Sequence, residues 1–233
     1  MIGNSGIFKL FNVNLTKLKG FLNDFPHVAV VSGHDDEIKI EYDLNDLSIV
    51  DRDKFYKGFI ENFGANIFAE TDVDLKTQLF QILNLRGLKI SFAESFTGGL
   101  LSSTITKMSG ASNVLYEGIV CYNEESKHKR LGVLESTLKR CYPVSEDVAR
   151  EMANGLLKDS QADIGVSTTG IAGPNSDNSG FPVGLCYFGI ATYNKTAVYK
   201  YKLKGSREEI IEKGVKIAMF LAIKALRDNT FDV

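Results

Sequence analysis

Along the first 72 residues the apolar positions switch between helical and strand spacing. Leu15, Leu18, Leu22 and Phe25 recur at intervals of three or four and stop at Pro26, which predicts a short amphipathic helix. "VAVVS" and "EIKIEY" then predict two strands joined by a Gly-His-Asp-Asp turn, with Ile38, Ile40 and Tyr42 alternating onto one face. Phe55, Phe59 and Phe63 form a stripe on a helix from about residue 51 to 63, and "ANIFA" follows as a short strand. Helix, strand, strand, helix, strand is a small α+β domain over residues 1–72, near the lower size at which a core suffices alone. The opening "MIGNSGIFKLFNVNLTKLKG" is apolar only in pieces broken by Asn and Lys, and reads as no secretory leader.

From residue 73 the rhythm changes to alternating helices and strands. Leu75, Leu79 and Ile82 mark a helix closed by Gly87, "LKISFA" a strand, and residues 98–108 a helix ended by Gly110. "GIVCY" is a strand, residues 123–141 a charged helical region, and Ser145 the N-cap of a helix burying Val148, Met152 and Leu156. "DIGVSTTG" reads as a buried strand before a Gly/Asn/Ser/Pro-rich loop at 170–182, and "VGLCYFGIATY" and "TAVYKYKL" form a hairpin through Asn194 and Lys195. A last helix runs from about 207 to 227. The alternation predicts a three-layer α/β/α domain over residues 73–233, with a mostly parallel or mixed sheet.

Composition narrows the class. A chain of 233 residues, 44% hydrophobic and 24% charged, is globular, and no apolar run approaches the roughly 20 residues that span a bilayer. Three widely spaced cysteines suit reduced thiols in the cytoplasm and lack metal-ligand spacing, so no metal or cofactor is expected. A net charge of -2 supplies no general attraction for nucleic acid. The basic cluster Lys127-His128-Lys129-Arg130 follows Glu124 and Glu125 and reads mostly as a solvated helix face. In the small domain the one Gly-x-x-Gly, Gly3 to Gly6, sits at the N-terminus, and Asp35, Asp36 and Glu37 would repel phosphate, which argues against RNA binding.

In an open α/β sheet, loops leaving the carboxyl ends of strands converge on one rim, where ligands bind. "AESFTGG", "YNEESK", "TTGIAGP" and "KGSR" all fall at such ends. Ser95 sits at a strand-to-helix corner, where its hydroxyl stands clear of the sheet and following amides suit an oxyanion. Thr97 with Gly98 and Gly99 reads as a helix N-cap that lets a ligand approach the backbone; equally, Ser95 and Thr97 do no more than cap the helix. A serine needs a base, yet His27 and His34 lie in the small domain and His128 beside a charged run. Lysine is the alternative, although a free amine with a pKa near 10.4 is less than about one part in a thousand neutral at pH 7. Lys127 would have to be buried or pressed by its basic successors to serve; otherwise it is an exposed helix lysine. Tyr122 either orients and relays a proton or packs the core. Thr169 opens "TGIAGP", whose Gly170 and Gly173 admit a ligand or shape a turn, and Arg207 at a helix start suits a phosphate or solvent alike.

Taken in order, "AESFTGG", "GIVCYNEESK", "LGV", "VSEDVAREMANG", "TTGIAGP", "PVG" and "GSREEI" resemble the CinA C-terminal family, the nicotinamide-nucleotide amidases also called PncC. Residues 1–72 look like the small KH-like domain that precedes this module in full-length CinA proteins. The larger molybdopterin-binding-like domain that usually comes first, associated with ADP-ribose pyrophosphatase activity, has no counterpart in these residues. The resemblance implies deamidation of nicotinamide mononucleotide (NMN) to nicotinic acid mononucleotide and ammonia, a pyridine nucleotide recycling step, by a serine-lysine dyad without metal. It makes Ser95 the nucleophile, Lys127 the general base, Tyr122 and Thr169 supporting polar groups, and Gly170 and Arg207 parts of the nucleotide pocket. It also implies a homodimer or larger homo-oligomer. The family usually has cysteine where Phe96 stands, and a Gly-Gly pair and a lysine where Ser176-Asp177 and Phe181 stand. That loss of a cation near the phosphate rim keeps a second reading open, a non-catalytic nucleotide-binding or interaction module.

Overall fold

The computed structural model describes residues 4–227 apart from 35, 159, 177 and 178. The chain forms two compact units, residues 1–78 and 79–233, with the division falling inside a helix.

The first unit runs β1 (Ser5–Phe11), α1 (Leu15–Asn23), β2 (Ala29–His34), β3 (Glu37–Asp43), α2 (Ile49–Phe63) and β4 (Ile67–Ala69). Its sheet has the order β2-β3-β1-β4, with β1 antiparallel to both neighbours. This is the split βαβ arrangement, in which each helix returns the chain past an inserted strand. Asn14 accepts the Lys17 amide at the start of α1, and Ser48 accepts that of Asp51 at the start of α2. The two helices bury a phenylalanine cluster against one face of the sheet, with Phe8 stacked on Phe59 at 4.7 Å. β1 has no counterpart in the elements predicted above. As a central strand it is apolar at Phe8, Leu10 and Phe11, so it lacks the clean alternation of a half-solvated strand. Among the described residues of this unit each helix is followed by a strand. Asp35 lies outside the described residues.

α3 (Leu75–Arg86) runs across the division. The second unit continues with β5 (Ile90–Glu94), α4 (Leu100–Thr106), β6 (Leu115–Val120), α5 (Glu124–Leu131), α6 (Glu135–Cys141) and α7 (Glu146–Lys158), then β7 (Ile164–Gly170), β8 (Leu185–Thr192), β9 (Thr196–Lys202) and α8 (Arg207–Arg227). The sheet order is β6-β5-β7-β8-β9. β5 is parallel to β6 and β7, while β8 is antiparallel to β7 and β9, which makes a mixed sheet. α4 and α8 pack together on one face, and α5, α6 and α7 on the other, as a three-layer α/β/α domain.

The charged stretch at 123–141 is two helices rather than one. Gly132 takes a left-handed φ of 68° and closes α5, its amide bonding the carbonyls of Lys127 and His128. Glu151 of α7 then holds the start of α6, accepting from the Leu134 amide at 2.8 Å and the Thr137 hydroxyl at 2.7 Å. β6 lies three residues earlier than "GIVCY" suggests, because its pairing with β5 begins at Leu115. Cys121 and Tyr122 therefore belong to the turn into α5. With β5, β6 and β7 parallel, and β9 running the same way as β7, four strands end at one rim and deliver Glu94, Val120, Gly170 and Lys202 there. Among the described residues no helix is long and apolar enough to cross a membrane.

Candidate active site

The nucleophile turn begins where β5 stops. The Ser95 amide donates to the Thr168 carbonyl at 3.0 Å, which fixes the serine backbone to the adjacent strand. Beyond it the chain reverses through Gly98 and Gly99, with φ of 60° and 97°, conformations that favour glycine. Thr97 is not the cap of α4: its hydroxyl lies 2.8 Å from that of Thr168. Capping falls to Glu94. One carboxylate oxygen, Oε2, accepts the Gly99 and Leu101 amides at 3.0 Å each, and Oε1 accepts the Ser102 amide at 2.8 Å and its hydroxyl at 2.6 Å. The Gly98 amide is also taken, by the Ser95 carbonyl at 3.1 Å. Of the amides that follow Ser95, those of Phe96 and Thr97 have no acceptor among the described residues, and of these two residues only Phe96 lines the cleft that opens beside the serine.

Phe96 wedges the turn from behind. Its buried ring meets Phe188 edge-on at 6.0 Å and fills the space left by Gly214 of α8, where an added Cβ would stand 2.6 Å from ring carbons. Glycine in a helix interior normally costs about 1 kcal/mol relative to alanine, so Gly214→Ala would ordinarily stabilise. Here it is expected to destabilise by about 1–3 kcal/mol through overpacking. Thermal melts should show Gly214→Ala costing less in a Phe96→Ala background than in the parent, and a Gly214→Ala single variant melting above the parent would refute the contact.

The base comes from α5. Asn123 caps this helix by accepting the Ser126 amide at 2.8 Å, and Lys127 follows on the inward face, 1% exposed. Its Nζ lies 2.9 Å from Ser95 Oγ, 2.9 Å from the Cys121 carbonyl and 3.4 Å from the Tyr122 carbonyl. A neutral amine has two N–H donors and one lone pair. In that neutral form the two carbonyls would take the donors and the lone pair would face the serine hydroxyl, whereas the charged amine donates to all three oxygens. Burial drives the Lys127 pKa below its ordinary value, opposed by the Cys121 thiol and Glu124. The basic successors are not the cause; Lys129, for instance, pairs with Glu125 at the surface, 2.6 Å away. Cys121 is itself held protonated by burial, its pKa pushed up to about 11.

Around this pair a cleft of about 320 Å³ opens at the rim, lined by Ser95, Lys127, Tyr122, Thr169, Gly170, Gly173 and Arg207. Thr97, Gly98 and Gly99 do not line it. Tyr122 is 60% exposed, so it is no core aromatic, and its hydroxyl turns away from Lys127 to accept from Arg207 at 3.0 Å. Arg207 also donates to the Gly173 carbonyl at 2.6 Å and thus straps two rim loops. The Thr169 hydroxyl donates to Pro143 at 2.7 Å, tying the α6–α7 loop to the end of β7. Gly170 lines the cleft, but packing also demands a glycine, since a Cβ there would meet Cys186 Sγ at 2.7 Å. Phe181 contributes to an apolar wall with Val144, Ile171 and Leu185, and Ser176 lines the cleft, whereas Asp177 lies outside the described residues. Among the described lining residues Arg207 is a cation beside the buried Lys127 amine and no carboxylate stands with them, a balance suited to an anion. Sequence reasoning gave no role to Glu94 or Thr168. The signal for Glu94 was an acid at a strand end followed by two glycines and no capping side chain of their own.

Residues 72–226 match the CinA C-terminal domain family. A CinA-like protein of Kosmotoga olearia is 43% identical over 166 residues, 71% of this chain but only 40% of that protein. Among solved structures, the competence damage-inducible protein A (ComA) of Klebsiella pneumoniae has a TM-score of 0.65 at 28% identity, covering 67% of this chain and 97% of that one. The competence/damage inducible protein CihA of Agrobacterium tumefaciens gives 0.63 at 34% identity over 66% and 93%.

Proposed function

Because this chain belongs to the CinA C-terminal domain family, we propose that it is a serine-lysine amidase converting NMN to nicotinic acid mononucleotide and ammonia. The observation that carries this reading is the buried Lys127 amine 2.9 Å from Ser95 Oγ, with its two other neighbours uncharged carbonyls. Lys127 accepts the Ser95 proton as the hydroxyl attacks the carboxamide carbon. Negative charge develops on the carboxamide oxygen toward the Phe96 amide, which has no other acceptor among the described residues. The same lysine then protonates the departing ammonia, and water hydrolyses the acyl-serine ester with Lys127 again as base. Arg207, which lines the same cleft, serves as the counterion for the nucleotide phosphate.

The test is single-turnover ammonia release from NMN by purified protein, with NMN binding measured by calorimetry in parallel. One ammonia per active site is expected. Binding with no ammonia would replace this reading with the non-catalytic nucleotide-binding module.

A further inference from the structure

We infer that Glu94 is a positioning residue for the serine beside it: its side chain locks the turn that its own backbone begins, and so sets where Ser95 Oγ and the Phe96 amide point. The inference rests on the amidase reading. Glu94 closes β5, paired with Val120 on one side and Thr168 on the other, so its backbone is held in the middle of the sheet. Its carboxylate, fully buried, then reaches past the turn to the first residues of α4 and accepts four hydrogen bonds. One residue thereby fixes both ends of the loop carrying the nucleophile. The geometry also directs charge. With the Gly99, Leu101 and Ser102 amides saturated by a carboxylate, the start of α4 offers nothing to a developing oxyanion, and the Phe96 amide on the cleft is left for it. Glu94 forms no ion pair among the described residues, so its acceptors answer to the turn alone.

Glu94→Gln keeps the shape but replaces one acceptor oxygen with an NH2 group. If Oε2 is replaced, the Gly99 and Leu101 amides face a donor; if Oε1 is replaced, the Ser102 amide does, while the Ser102 hydroxyl can turn to accept. The turn must shift, and misplacement of about 1 Å near reacting atoms can cost about 100-fold. We expect kcat for NMN to fall about 10- to 100-fold with KM changed by less than about threefold. A second readout needs no NMN. Phenylmethanesulfonyl fluoride forms an O–S bond to Ser95 with loss of fluoride, the serine proton passing to Lys127, and intact mass gives the labelling rate constant. A rate constant, unlike an amplitude, is unmoved by loss of folded protein, so it separates positioning from stability. In Glu94→Gln it should fall in parallel with kcat. Ser102→Ala removes only the 2.6 Å hydroxyl bond and should lower both rates by a smaller factor, about two- to fivefold, which keeps the test open if Glu94→Gln does not fold. Labelling at the parent rate in folded Glu94→Gln, or in Ser102→Ala where that alone folds, overturns the inference, as does a parent whose Ser95 is never labelled. A parent that labels yet releases no ammonia overturns the amidase reading alone, and the labelling rates of the variants still decide the role of Glu94.

Discussion

Replacing Lys127 with methionine is expected to lower amide turnover at pH 7 by about 1,000-fold or more, and Ser95→Ala by a similar factor. The two changes should not multiply, because nucleophile and base act as one unit: the double variant should be no slower than the worse single one. The pH dependence identifies the base. In the parent, kcat should rise with pH through an ionisation displaced below the ordinary lysine value of 10.5, because burial favours the neutral amine. Lys127→Met should lack that limb. Linkage gives an independent check. Where Lys127 is neutral when folded and charged when unfolded, the unfolded state binds the extra proton, so stability rises with pH across the window from the lowered folded value up to 10.5. The parent should therefore gain stability relative to Lys127→Met over that window, measured as melting temperatures at a series of pH values. A parallel pH course for the two proteins would mean that Lys127 titrates as an exposed amine and is no base.

How far the sequence discloses this site depends on the distance over which each signal acts. The α/β alternation and the order of motifs are local patterns, and they place Ser95, Lys127, Tyr122, Thr169, Gly170, Gly173 and Arg207 on segments that share a rim because parallel strands end together. What resists reading is the direction of each polar group. Nothing local says that the Thr97 hydroxyl meets Thr168 from a different strand, that the Tyr122 hydroxyl serves Arg207, or that Thr169 serves Pro143. Those choices are made by tertiary approach. The same holds for Lys127, whose burial is invisible in a run of Glu, Lys, His and Arg that looks solvated. β1 escapes for a different reason: its register with β4 shifts between Lys9 and Leu10, and with the consecutive Leu10 and Phe11 both buried the alternation by which strands are recognised is broken.

Gly155→Ala is expected to cost roughly 2–3 kcal/mol, although alanine is the better helix former by about 1 kcal/mol. Gly155 lies on α7 where that helix crosses the end of α5. A Cβ there would stand 2.0 Å from the Leu131 carbonyl oxygen and 2.8 Å from its carbon, and backbone cannot swing aside as the tip of a side chain can. The methyl group must push α5 away, and Lys127 lies one turn back along that same short helix. Stability and chemistry should therefore fail together: a melting temperature lower by roughly 5–10 °C, and kcat reduced by about 10-fold or more as Lys127 Nζ leaves its 2.9 Å contact with Ser95. Gly20→Ala on α1 provides the contrast, because no atom lies within 4 Å of a Cβ there and the intrinsic preference for alanine acts unopposed. Opposite signs for one chemical change at two helical glycines would trace the loss to the contact with Leu131. If Gly155→Ala instead melts at or above the parent temperature with full turnover, α5 is not held against α7 in the way that sets the distance from Lys127 to the nucleophile.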